Sequence, residues 1–130
     1  MNFGLKKMQI SSAAIDDLSS VTGGRRVAVL GDMLELGPQA EAFHREIGRH
    51  ASERGIELLV TVGPLAAAMG PEFAAQSHAV PDARAAAELL EGLLEPGDTV
   101  LVKGSRGVGL ERVVEAILEV TVPGAAGGRR

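Results

Sequence analysis

The chain has 130 residues, of which 45% are hydrophobic and 2% aromatic, with no Cys, Trp or Tyr and a formal net charge of −4. That length and apolar share fit one domain with an aliphatic core and exclude an intrinsically disordered chain. The absence of Cys excludes disulfides and thiolate metal sites. The acidic balance without Trp or Tyr argues against a nucleic-acid partner, which needs cationic surface and stacking platforms.

Residues 1–11 are weakly specified. Lys6 and Lys7 are followed by no apolar signal-peptide core, and no run of about 18 apolar residues is present to span a membrane. The expected setting is the cytoplasm, with no membrane partner. Ser11–Val21 carries Ala14, Leu18 and Val21 on one helical face, with Ser11 or Ser12 as N-cap and Gly23-Gly24 as its end. Val27–Leu30 is a continuous apolar run, as expected of a strand covered on both faces. Gly31 then allows a sharp turn and leaves Asp32 just past the strand's carboxyl end.

Pro38–Arg54 places Ala40, Phe43, Ile47 and Ala51 at helical spacing. Leu58–Val62 reads as a second strand, Pro64–Met69 as a short apolar helix with Pro in its first turn, and His78–Val80 as a short third strand. Asp82–Leu94 gathers Ala86, Leu89, Leu90, Leu93 and Leu94 on one side. Thr99–Lys103 is the fourth strand. Leu110–Glu119 repeats apolar residues at 110, 113, 114, 117 and 118, the pattern of a core-facing helix. The Gly-rich stretch 120–130 is expected to be a disordered tail. This alternation predicts an α/β, Rossmann-like fold: a mostly parallel sheet with right-handed crossovers and helices on both faces.

In such a sheet the ligand edge collects the segments that follow the strands: Gly31 to Glu35, Gly63-Pro64, and Lys103 to Gly109. In the last, loop amides and the start of the next helix offer an anion site, with Lys103 and Arg106 adding charge and Ser105 a hydroxyl donor. A plain tight turn with solvated cations is the alternative, and spacing alone leaves both open. The loop is neither a Walker A loop nor a dinucleotide fingerprint. Asp32 and Glu35 could pair as a magnesium or amine site; the alternative is that Asp32 caps a turn and Glu35 faces water. His44 reads as structural rather than catalytic. His50 and His78 have no partners at metal-ligand spacing. Glu41, Arg45, Glu46, Arg49 and Glu53 read as a solvated helix face.

Taken together, Gly24 to Gly37 with its Gly31-Asp32-Met33-Leu34-Glu35 centre, His44 to Gly48, Val62-Gly63, and Gly97 to Arg106 resemble the C-terminal domain of the Mur ligases. The resemblance is closest to those ligases that add D-alanyl-D-alanine to a UDP-N-acetylmuramoyl-tripeptide, and it covers residues 12–119. It implies an ATP-dependent amide ligase of peptidoglycan-precursor synthesis, hence of cell-wall biogenesis, cell shape and division. An N-terminal domain would hold the UDP-sugar peptide, and a central domain would carry the P-loop, with ATP and magnesium bound mainly there. The C-terminal domain would close over them and help to bind the dipeptide, whose amine attacks an acyl phosphate.

On that template Lys103, Ser105 and Arg106 line the cleft and bind phosphate or the dipeptide carboxylate. Asp32 and Glu35 shape the same edge toward the ammonium group, and Gly31, His44 and Gly104 shape the loops. The resemblance assigns no catalytic residue and no metal ligand to these 130 residues alone. The polar segment that supplies nucleotide contacts in the family has no counterpart in Asn2 to Met8, as at a cut or altered domain boundary. The 130 residues alone are therefore expected to bind no ATP and to perform no ligation. The alternative is a stand-alone, degenerate Rossmann-like binding or regulatory module without ligase activity.

Overall fold

The computed structural model describes residues 12–34, 36–104 and 108–115. The expectations for residues 1–11, Glu35, Ser105, Arg106, the helix beyond residue 115 and the 120–130 tail fall outside the described residues.

Four short segments, β1 (Arg26–Gly31), β2 (Leu58–Val62), β3 (Gln76–Val80) and β4 (Thr99–Lys103), pair in parallel in the order β3-β2-β1-β4. The two inner strands explain the unbroken apolar runs. Every residue of β2 is buried, as is every residue of β1 after Arg26, because both faces are covered. β3 is an edge strand and starts two residues before its apolar stretch. Gln76 and Ser77 join the ladder through their backbones opposite Leu58 and Leu59, where an edge position lets polar side chains reach water.

One face of the sheet (Ala28, Leu30, Leu59, Leu101) is covered by three elements: α1 (Ser12–Ser19), α2 (Ala40–Glu53) and a 3-10 helix (Ala66–Glu72). The other face (Val27, Val29, Leu58, Val60, Val62, Val100, Val102) is covered by α3 (Ala83–Leu93) and by Leu110 and Val113. The chain steps outward from β1 to β2 to β3 beneath the first layer. It then returns past both strands through α3 to place β4 on the far side of β1. Right-handed crossovers require that reversal of direction to change the covered face. The result is the α/β architecture read from the sequence, with a topological switch point between β1 and β4, where open sheets of this kind form their ligand crevice.

Three further elements depart from the sequence reading. α1 buries Ile15 beside Ala14 and Leu18, while Val21 lies beyond the helix. The segment after β2 is a 3-10 helix over Ala66–Glu72 rather than a helix over Pro64–Met69. The Ala68 N–H bonds the Leu65 carbonyl, the Phe73 N–H bonds the Gly70 carbonyl, and Pro71 has no N–H to continue an α-helical ladder. α2 begins at Ala40 after a 3-10 turn, Gly37–Gln39, that contains Pro38. α2 and the 3-10 helix approach backbone to backbone: a Cβ on Gly48 would fall 2.7 Å from the Met69 Cα.

The amino ends of the strands are tied by ion pairs. Arg25 forks onto Asp98 (2.8 and 3.2 Å) and donates to the Leu93 carbonyl, while Asp98 also accepts from the Glu95 N–H. Arg26 forks onto Glu57 and donates to the carbonyls of Ser19 and Gly55. The Arg26 guanidinium holds the Glu57 carboxyl below its ordinary range. These pairs fix the edge opposite the switch point. Asp16 of α1 meets both His50 and Arg54 of α2 at 2.8 Å, so His50 has a carboxylate partner that sequence spacing did not reveal.

Candidate functional site

At the switch point the register pairs Leu30 with Lys103, which sets Gly31, the last residue of β1, beside Gly104, the residue after β4. Both glycines are needed for space. A Cβ on Gly31 would lie 3.1 Å from Val108 and 3.2 Å from Leu110, and one on Gly104 would lie 2.6 Å from Leu110 Cδ1 and 3.2 Å from the Gly31 Cα. Gly31 is the last residue of β1, and its φ is not in the left-handed region. The expectation that Gly31 supplies a sharp turn is therefore corrected. It supplies clearance for the segment that returns over β4.

The turn itself is held by the next two residues. Asp32 is 5% exposed. Its N–H donates to the Val62 carbonyl (3.1 Å), and its Oδ1 accepts from the Ala66 N–H at 2.7 Å. The carboxylate thus caps the first turn of the 3-10 helix after β2, not the turn that follows Asp32 in the chain. It fits because Gly63 is bare: a Cβ there would sit 2.5 Å from Asp32 Oδ1. Gly63 also has φ +111°, a conformation that side chains resist.

Met33 then donates its N–H to His44 Nε2 at 3.0 Å, and His44 Nδ1 donates to the Ala40 carbonyl at 2.5 Å. His44 is fully buried, with the Phe43 ring edge-on at 5.9 Å. The two bonds define the imidazole as the Nδ1–H tautomer, because a carbonyl only accepts and an amide only donates. Beyond this anchored pair, Leu34 is 53% exposed on the edge.

Lys103 occupies the same sheet face as Leu30 and Leu101, at the end of β4. It is 4% exposed, and burial pushes its ammonium below the ordinary lysine range. In the same row, β2 contributes Thr61, whose buried Oγ1 has no hydrogen-bond partner among the described residues. The structure therefore brings Gly31, Asp32, His44, Lys103 and Gly104 of the sequence-derived set to one edge, while Glu35, Ser105 and Arg106 lie outside the described residues. Sequence reasoning missed the Ala66 N–H and Thr61. The glycine directly after β2 was the available signal for a close approach at Gly63.

Residues 10–106 match the family described as "Mur ligase, glutamate ligase domain". The chain belongs to the Mur ligase family. The UDP-N-acetylmuramoyl-tripeptide–D-alanyl-D-alanine ligase of Bacillus subtilis is 38% identical over 113 residues, covering 82% of this chain and 25% of that enzyme. The Escherichia coli enzyme of the same name is 36% identical over 110 residues, covering 83% and 24%. Among solved structures, MurF ligase from Thermotoga maritima in complex with ADP superposes with a TM-score of 0.71 at 26% identity, over 92% of this chain and 29% of that one. MurF from Acinetobacter baumannii gives a TM-score of 0.73 at 27% identity, over 87% and 26%. The chain thus spans about a quarter of the length of the curated relatives it matches.

The sequence has no Walker loop, and no three His, Asp or Glu side chains gather as metal ligands among the described residues. No helix among them is long and apolar enough to cross a membrane.

Proposed function

We propose that this chain is the C-terminal, acceptor-side domain of an ATP-dependent ligase that joins D-alanyl-D-alanine to a UDP-N-acetylmuramoyl-tripeptide in the cytoplasm. The family match and the names of its relatives support the reaction class. The observation that carries the assignment to a site is the switch point, where Lys103 ends β4 one strand away from the Asp32 turn of β1. ATP and magnesium belong in this reading to the other domains.

The chemistry places a clear demand on this edge. A carboxylate is a poor acyl donor until phosphorylated, and attack by the dipeptide amine then builds negative charge that nearby cations and amide donors stabilise. A partly desolvated Lys103 ammonium attracts a phosphate or carboxylate more strongly than a fully hydrated one. Ser105 and Arg106 follow it as further donors. Glu35, three residues after Asp32 in the sequence, is assigned in this reading to the ammonium group of the dipeptide. Asp32, engaged by Ala66, shapes that loop rather than reaching for ligand.

The test is a ligation assay on two proteins, the 130 residues alone and the same residues joined to the N-terminal and central domains of such a ligase. Turnover is expected only in the joined protein. Ligation by the isolated chain, or none by a folded joined protein, overturns the reading.

A further inference from the structure

The described half of the β1 loop is held at two consecutive residues by two different parts of the molecule. Asp32 is bound through its side chain to the segment after β2, and Met33 through its backbone to α2. The second attachment is a buried side chain acting on a backbone amide. Met33 is itself buried, so its N–H is satisfied without help from bulk water. His44 supplies the acceptor with Nε2 and is itself oriented by the Ala40 carbonyl one helical turn earlier. Leu34, the next residue, is exposed on the ligand edge.

We propose that His44 is a positioning residue. Its Nδ1–H imidazole clamps the Met33 amide through Nε2, and so sets where Leu34 emerges at the acceptor edge. The physical basis is directional. A ring bonded at both nitrogens cannot rotate without breaking two hydrogen bonds in a site closed to water, and an unsatisfied buried amide is costly. A second-layer imidazole orienting a loop in this way parallels the outer-shell partners that orient ligands at metal sites. His44 is fully buried and acts through Met33. This inference rests on the acceptor-side reading only for its consequence in turnover. The clamp itself does not depend on that reading.

The experiment separates the two. In the chain itself, nitrogen NMR of the His44 ring should show Nδ1 protonated and Nε2 bare at neutral pH. This measurement needs no variant. His44→Phe keeps a planar apolar ring but no acceptor, and should raise the exchange rate of the Met33 amide by about tenfold or more. His44→Gln can place an oxygen near the Nε2 position and should restore most of the protection. An Nε2–H ring, or equal Met33 protection in the wild type and the Phe variant, overturns the clamp. In the whole ligase, the Phe variant should raise KM for D-alanyl-D-alanine by about tenfold with a smaller change in kcat, and the Gln variant should recover it. A deprotected Met33 amide with unchanged KM would leave the clamp standing and refute the placement of this edge at the acceptor.

Discussion

The Asp32 carboxylate fills the space that a side chain on Gly63 would need, and from there it caps the backbone of Ala66. The bond spans 34 residues and joins the loops after two adjacent strands. A charged group that sequence alone offers to a ligand is thus used to lock two of the loops that make the ligand edge. The edge is built rigid where the strands end, and the loop after β1 becomes exposed only at Leu34.

Replacing Gly63 by Ala should destabilise the domain by about 2–4 kcal/mol, combining the strain of a positive φ with collision against Asp32. The collision part should vanish when Asp32 is also Ala. A double-mutant cycle by urea unfolding should then show coupling of about 1 kcal/mol or more. Additive losses would mean that the two residues do not share the space.

Gly104→Ala should cost about 1–3 kcal/mol, because its methyl group meets Leu110 and the backbone of Gly31. Truncating Leu110 removes only the first of these contacts. Gly104→Ala should therefore cost less, but not nothing, in a Leu110→Ala background. Chemical denaturation of the four proteins decides the matter.

Burial holds the Lys103 ammonium below its ordinary range, which fixes a sign for the pH dependence of stability. The cost of burying the charge is fully present below the folded value. Between the folded and unfolded values the unfolded chain carries a proton that the native one lacks, so stability rises with pH across that alkaline window. Lys103→Met should flatten this rise. Urea midpoints from neutral to alkaline pH measure it, and a rise of equal slope in the variant would assign the effect to another group.

The parallel sheet was legible because its inner strands are buried on both faces. β2 and β4 coincide residue for residue with the strands read from the sequence. β3 was shortened because Gln76 and Ser77 pair through backbone atoms that composition does not report. The segment after β2 was read as an ordinary helix because apolar spacing does not separate bonding three residues back from bonding four back. At the edge, Asp32, Lys103 and the glycines stood out by position. Their partners did not: Ala66 offers only a backbone N–H, and Thr61 looks like any β-branched strand residue. The Gly31 reading failed for a related reason, since a glycine required for clearance and one required for a turn are identical in sequence.

The most direct test of the central claim is steady-state ligation by the whole ligase carrying Lys103→Ala, with the fold of the variant checked by its unfolding midpoint. If this edge is one wall of the amide-ligase cleft, kcat/KM for D-alanyl-D-alanine should fall by about 10²-fold, the scale seen when one donor to developing charge is removed, while the domain stays folded. A folded variant that ligates at the wild-type rate would contradict the account.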